Sequence, residues 1–337
     1  MKRRTVICFL ITALIFTVVW QSSVIADDRV GPISKEDRGR AVGVLVDTLE
    51  QQEEWIKVHA AEYLIALDYQ DRVAEIFVGE LKNSADKPEY RIGVWRVMTR
   101  LQYKPKDRQR WADKIRDVLI DADAPDRLHA LETLAKLHYK IQDEHRGLVE
   151  KMAEPDEGAT AAYARWLLVY SDDSDRKVAE LRLAELLGSK DVGARSVAAY
   201  ALRLTKPIHK ETFVKLSEAF ESEPVDSEAR VPMLAAVVTH GSPEKRAELK
   251  KQIVSLAKTG KTGDQNMAMQ VLAHIATHDD IALLKDTLAH SDADVRASAG
   301  NALLRLERRR SVGLALLDWA VIAVYALGMV LIGWYYA

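Results

Sequence analysis

Two short patterns in the chain carry residue types that could do chemistry. Gly260-Lys261-Thr262, inside "AKTGKTG" at 257–263, has the last three residues of a phosphate-binding loop, in which backbone N–H groups and a lysine cradle phosphates. That loop also needs a glycine at 255 and a strand before it. Ser255 stands there instead, at the end of an apolar-periodic helix, so the segment reads as a turn between helices. His274 and His278 stand four apart, which puts two metal ligands on one helical face. No third ligand follows at recognisable spacing, although Asp279 and Asp280 are close, and the pair reads as a solvated helix end. The remaining histidines are scattered, with no HExxH and no glycine-flanked serine elbow. The sequence therefore points to no catalytic residue, no metal site and no cofactor.

The helices that would position any site dominate the composition. The chain has 337 residues, 48% apolar and 29% charged, with a formal net charge of −2. It can bury a large core, and it has no global pull toward nucleic acid. Charges crowd into 27–310; outside that range stand only Lys2, Arg3, Arg4 and Asp318. Eight stretches share a small-residue helix closed by a bulky or apolar step, ending at Leu67, Leu101, Leu137, Tyr170, Leu204, His240, Ala276 and Leu306. These end points are 30 to 36 residues apart, and each helix follows another with apolar residues at helical spacing, such as Val178, Leu181, Leu183 and Leu186. A helix pair of this size cannot bury its apolar faces alone. Stacking neighbours supplies a continuous core and an extended concave surface, so the expected fold is an all-α solenoid of about eight helix pairs over 37–307.

The best-formed units, "DADVRASAGNALLRL" and "DVGARSVAAYALRL", resemble HEAT repeats, including the short form found in phycobilisome-lyase-like proteins. Asp294, Val295, Arg296, Ala297 and Ala299 match that pattern, and the second unit departs from it at Gly193-Ala194. The Trp-x2-Leu-Gly-x2-Tyr signature of tetratricopeptide repeats is absent. The resemblance implies a fold and no particular chemistry, because such solenoids serve many unrelated partners. Trp55, Trp95 and Trp166 all fall on second helices, those that line the concave face, where aromatic anchors suit a protein or glycan partner. The other reading is that they fill the core between repeats.

The two ends of the chain are unlike the middle. Lys2-Arg3-Arg4, the apolar run from Val6 to Trp20 and Val24-Ile25-Ala26 read as a signal peptide over 1–26, followed by a linker at 27–36; an uncleaved anchor is the alternative. Cys8, the single cysteine, lies within the signal, so the mature chain would hold neither a disulfide nor a thiolate metal ligand. After a basic linker at 308–316, residues 319–337 carry no charge and reach about 28 Å as a helix, enough for a bilayer core. Trp319 at one end and Trp334, Tyr335 and Tyr336 at the other suit the two interfaces. The expected element is a transmembrane helix at 317–337. At about 100° per residue, Asp318, Tyr325, Met329 and Tyr336 share one face with Gly333 nearby, a face suited to packing on protein.

Leu317-Asp318-Trp319, Tyr325, Gly328-Met329 and Ile332-Gly333-Trp334-Tyr335-Tyr336 together resemble the opening helix of the sodium:solute symporter family. In that family the helix enters from outside and precedes the inverted repeats that build the ion and substrate sites. The resemblance implies a fragment, or a truncated relative, of a HEAT-repeat domain fused to a symporter. A cleaved signal puts the repeats outside, so Arg308, Arg309 and Arg310 lie outside as well, and no Lys or Arg follows the span to hold it. The expected function is a non-catalytic binding or regulatory module, exported and single-pass. Its expected partners are a protein on the concave face, the membrane, and the transmembrane helices of a symporter in cis or in trans. The alternative is a free-standing membrane-tethered scaffold. Amino-terminal sequencing of the membrane-purified protein should begin at Asp27, and an intact Met1 would rule out cleavage.

Overall fold

The computed structural model describes residues 33–171, 175–311 and 316–336, with side chains described at all of these except 310, 311, 316–318 and 320. The expected signal peptide at 1–26 lies outside the described residues. The helices alternate between an outer and an inner layer. In chain order the hairpins are α1 (Lys35–Gln51) with α2 (Glu54–Ala66), α3 (Gln70–Asn83) with α4 (Pro88–Leu101), α5 (Pro105–Ile120) with α6 (Arg127–Lys136), and α7 (Asp143–Met152) with α8 (Gly158–Leu168). Then follow α9 (Arg176–Glu185) with α10 (Val192–Leu204), α11 (Lys210–Ser222) with α12 (Arg230–His240), α13 (Pro243–Thr259) with α14 (Thr262–Ile275), and α15 (Ile281–Thr287) with α16 (Ala293–Ser311). A final helix, α17, spans Leu316–Tyr336. The first four residues of the expected 308–316 linker continue α16. Among the described residues there is no β-strand.

The sequence explains why the two layers differ. Outer helices bury one stripe at helical spacing, as with Leu249, Ile253 and Ala257 of α13 or Leu216 and Phe220 of α11. Inner helices have neighbours on several sides and bury almost all round; α12 hides six consecutive residues, Met233 to Val238. The arginine near the start of the inner helices has a defined structural task. Arg195 donates to the Ser189 carbonyl at 2.8 Å, Arg296 to the Ser291 carbonyl at 2.8 Å, Arg230 to the Glu223 carbonyl at 2.9 Å and Arg127 to the Leu119 carbonyl at 2.7 Å. Each of these oxygens lies at or just beyond the end of an outer helix, where carbonyls lack helical partners. The recurrent Asp serves the next turn: Asp191 accepts from the Gly193 N–H within its own cap and from the Gly158 N–H of the preceding hairpin, at 2.8 and 2.7 Å.

The stack does not stay open. Where an extended concave face was expected, the last hairpin packs on the first and the eight hairpins close into a ring. Asp294 of α16 accepts from Asn266 of α14 at 2.7 Å and faces His59 Nδ1 of α2 at 3.0 Å. Ser298 donates to Asn266 Oδ1, which leaves Tyr63 Oη of α2 to donate to Ser298 Oγ at 2.9 Å. The two residues thus bind α14 behind and α2 ahead, as though α2 were the ninth inner helix. Gly300 permits the approach to α1, since a Cβ there would lie 3.1 Å from the Ala41 carbonyl oxygen. Outside this seam Lys285 pairs with Asp37 at 2.9 Å, Arg308 with Asp68 at 2.9 Å, and Arg38 with Glu307.

A Tyr63→Phe and Ser298→Ala double-mutant cycle should give a coupling energy of about 0.5–1.5 kcal/mol in chemical denaturation. Amide exchange should protect α2 and α16 as well as the middle helices, whereas an open stack with frayed ends would show neither result.

Candidate functional site

All inner helices run the same way around the ring, so residues at equivalent positions form tiers about its axis. Side chains from helices two apart meet there. Tyr200 of α10 donates to Glu132 Oε1 of α6 at 3.3 Å, and Arg203 Nη2 of α10 donates to Gln270 Oε1 of α14 at 3.0 Å. Trp55 of α2 stacks on His129 of α6 with centroids 5.3 Å apart. It reaches His129 across Gly93 of α4, where a Cβ would come within 3.0 Å of the indole.

The middle tier is an ion network. Arg96 of α4 is 0% exposed and grips Glu62 of α2 in a two-point fork, Nε to Oε1 at 2.7 Å and Nη2 to Oε2 at 3.1 Å. Its Nη1 contacts Thr133 Oγ1 at 3.3 Å, and its guanidinium lies 5.4 Å from the Trp55 ring centroid. Arg100 adds a second cation 3.4 Å from Glu62, and Lys136 pairs with Glu132 at 2.8 Å. Burial alone would raise the Glu62 carboxyl. Arg100, Arg96 and Lys136 override that effect and hold it well below the usual carboxylate range. Glu132 is lowered in the same way, burial being outweighed by Lys136 and Arg96. Burial and the Arg96 charge push the Lys136 ammonium down despite its two carboxylate neighbours.

The tier at the C-terminal ends of the inner helices is cationic, with Arg100, Lys136, Arg203 and Arg305, and the imidazole of His274 among them, around one mouth of the ring. A cavity of about 610 Å³ opens beside it, lined among others by Glu62, Arg100, Arg108, Lys136, His138 and Lys140. His138 adopts a positive φ of 54° just past α6 and stacks on Tyr170 at 4.1 Å. The His274 ring is exposed to the mouth yet flanked by protein. Partial desolvation and then Lys206, Arg305, Arg203 and Arg309 lower its pKa to about 3. In chemical terms the interior offers fixed cations, phenol hydroxyls and indole faces for binding.

The expected aromatic residues separate. Trp55 lies on the inner wall. Trp95 turns toward α5, with Lys114 Nζ 5.7 Å and the Arg91 guanidinium 5.5 Å from its ring. Trp166 is fully buried, edge-on to Tyr200 at 6.0 Å, and its Nε1 has no hydrogen-bond partner among the described residues. On α17 the side chains of Tyr325, Met329 and Tyr336 are exposed, Gly333 has no atom within 4 Å of a built Cβ, and the Asp318 side chain lies outside those described. Lys261 and Thr262 open α14 rather than a phosphate loop, and His278 begins a short 3-10 turn after it. Among the described residues no group of three or more His, Cys, Asp or Glu is placed to hold a metal ion.

The residues that sequence reasoning passed over are Glu62, Arg96, Glu132, Lys136, Tyr200, Arg203, Gln270 and Arg305. Their signal was a charged or polar residue recurring on the otherwise apolar inner helices. Comparison with known proteins gave no matching family model and no matching curated protein.

Glu62→Ala leaves Arg96 buried without its carboxylate and should cost about 3–5 kcal/mol in denaturant unfolding. Folded Glu62 titrates below its ordinary value of 4.5, so its contribution is full above that value and fades as pH falls below it. Glu62→Gln should therefore flatten the acid limb of the stability curve.

Proposed function

We propose that this chain is a non-catalytic binding module of HEAT-like repeats, exported and held at a membrane by its C-terminal helix, where it serves a transmembrane partner of the sodium:solute symporter type. The carrying observation is α17. Among its described apolar side chains, Val321, Val324, Leu331 and Ile332 are 55–70% exposed, and such a row of large apolar groups calls for lipid or protein to cover it. Among the described residues no helix is long and apolar enough to cross a membrane. The span thus rests on the sequence, in which 319–337 carry no charge. Tyr325 supports a packing role, because a phenol hydroxyl within hydrocarbon needs a protein partner.

The ring supplies the binding half of this reading. Closure turns the expected concave groove into a walled interior, so a partner or ligand meets the module at a mouth of the ring. Trp55, stacked on His129 near the N-terminal ends of α2 and α6, is the aromatic contact available there.

Replacing 317–337 by polyleucine should keep the chain in the membrane fraction while abolishing co-purification of its transmembrane partner. A photo-crosslinker at position 325 should capture protein, and one at 324, about 100° around the helix, should capture less. Equal labelling of lipid alone at both positions would leave the helix a plain anchor.

A further inference from the structure

The two sides of the cationic mouth are not alike. On the α2, α4 and α6 side, Arg100 and Lys136 have Glu62 and Glu132 as carboxylate partners. On the α10, α14 and α16 side no carboxylate among the described residues pairs with Arg203 or Arg305. Arg203 is 5% exposed; its Nη2 meets only the neutral Gln270 amide, and its Nε has no partner among the described residues. Arg305 Nε binds the Asn301 amide oxygen at 3.0 Å. Arg309 reaches the His274 and Ala276 carbonyls at the end of α14, and Lys206 stands exposed just past α10. Asp280, the carboxylate near Arg309, is itself held by Lys250 at 2.6 Å.

Partial negative charge at helix C-termini accounts for a cation such as Arg309, which caps those carbonyls. It does not account for Arg203, whose Nε is buried and unpaired, nor for the crowding of its neighbours. Burial pushes the Arg203 guanidinium down, and only the Tyr200 and Tyr63 hydroxyls oppose that. Arg305 is lowered first by burial and then by Arg308 and Arg100, against a counter-effect from Tyr63. A buried donor and several like charges without a counter-charge raise the free energy of the folded ring.

We propose that Arg203, Arg305 and Lys206 form a binding site for a small oxyanion carrying at least two negative charges, a phosphate or a dicarboxylate, that enters through the mouth, with the charge of Arg309 behind them at the end of α14. Guanidinium forks match the oxygen geometry of both groups. Arg100, on the other side of the mouth, is near enough to act on Arg305, so the cations share one field across the opening. This names a ligand class for the binding module proposed above, on residues remote from α17.

The test is calorimetric titration of the full chain in detergent with inorganic phosphate and, separately, succinate, each against sodium chloride of equal ionic strength. Saturable one-to-one binding of either supports the site, and the stronger of the two tells phosphate from carboxylate. Arg203→Gln and Arg305→Gln should each weaken it about tenfold or more, while Arg72→Gln, on an outer helix, should not. Lys206→Gln, at an exposed position, gives a variant that keeps the ring intact. Arg305→Gln should also raise the Tm of the ligand-free protein and lose the rise that phosphate gives the wild type. With phosphate bound, the imidazole of His274 should titrate at a higher pH in histidine-labelled NMR spectra. No saturable binding of either anion up to about 10 mM, or binding unchanged in the Arg203, Arg305 and Lys206 variants, would overturn the site. The crosslinking result at position 325 is independent of this outcome, so the membrane module and the anion site can fail separately.

Discussion

The contact of α16 with α1 and α2 is the constraint from which the interior follows. In an open superhelix the inner side chains of one hairpin meet only the next hairpin, and a charged residue on the concave face stays in water. Closing the stack brings helices two positions apart within hydrogen-bond reach, as at Tyr200 with Glu132 and Arg203 with Gln270. It also crowds protein around them, so that Arg96 loses all its exposure. The closure is a repeat contact reused: Asp294 and Ser298 treat α2 as they treat α14. No special element is needed beyond Gly300, which lets the α1 backbone come close.

Closure divides the energetics between two zones. The shell between inner and outer helices is apolar and almost wholly buried, from Leu45 and Leu49 of α1 to Leu303 and Leu304 of α16. At about 1.5–3 kcal/mol for each large aliphatic side chain buried, this shell carries the fold. The axial zone does not. Desolvation offsets much of the attraction within pairs such as Arg96–Glu62, so such pairs contribute little net stability, although breaking one is costly. A ring stabilised by its shell is free to keep charges inside, and Arg203 and Arg305 on the α10–α14–α16 side have only neutral amides as hydrogen-bond partners among the described residues.

The recurrent arginine and aspartate of the repeat belong to a third, local layer of interactions. Arg195, Arg230 and Arg296 tie each inner helix to the carbonyls ending the outer helix before it. Asp191 and Asp126 tie a hairpin to its predecessor, through the Gly158 N–H and the Arg91 guanidinium respectively. Each fixes the angle between successive helices, and eight such angles add up to one full turn.

The sequence by itself determined the all-α character and the repetition of about eight helix pairs. These follow from apolar spacing and small residues, which act over three or four residues along the chain. Pro88, in the first turn of α4, and Pro125, two residues before α6, likewise mark helix starts locally. Tertiary structure alone decided that the stack closes, because closure depends on the sum of small rotations between hairpins, and no single repeat contains that sum. It therefore also decided the interior. Glu62, Arg96, Lys136, Arg203 and Arg305 read singly as solvated charges on helices, and only the ring brings them to a common axis. Trp55, Trp95 and Trp166 share a helix layer in sequence yet went to an inner wall, an α5 interface and the core. One residue of register, about 100° of helix, is enough to separate those three environments.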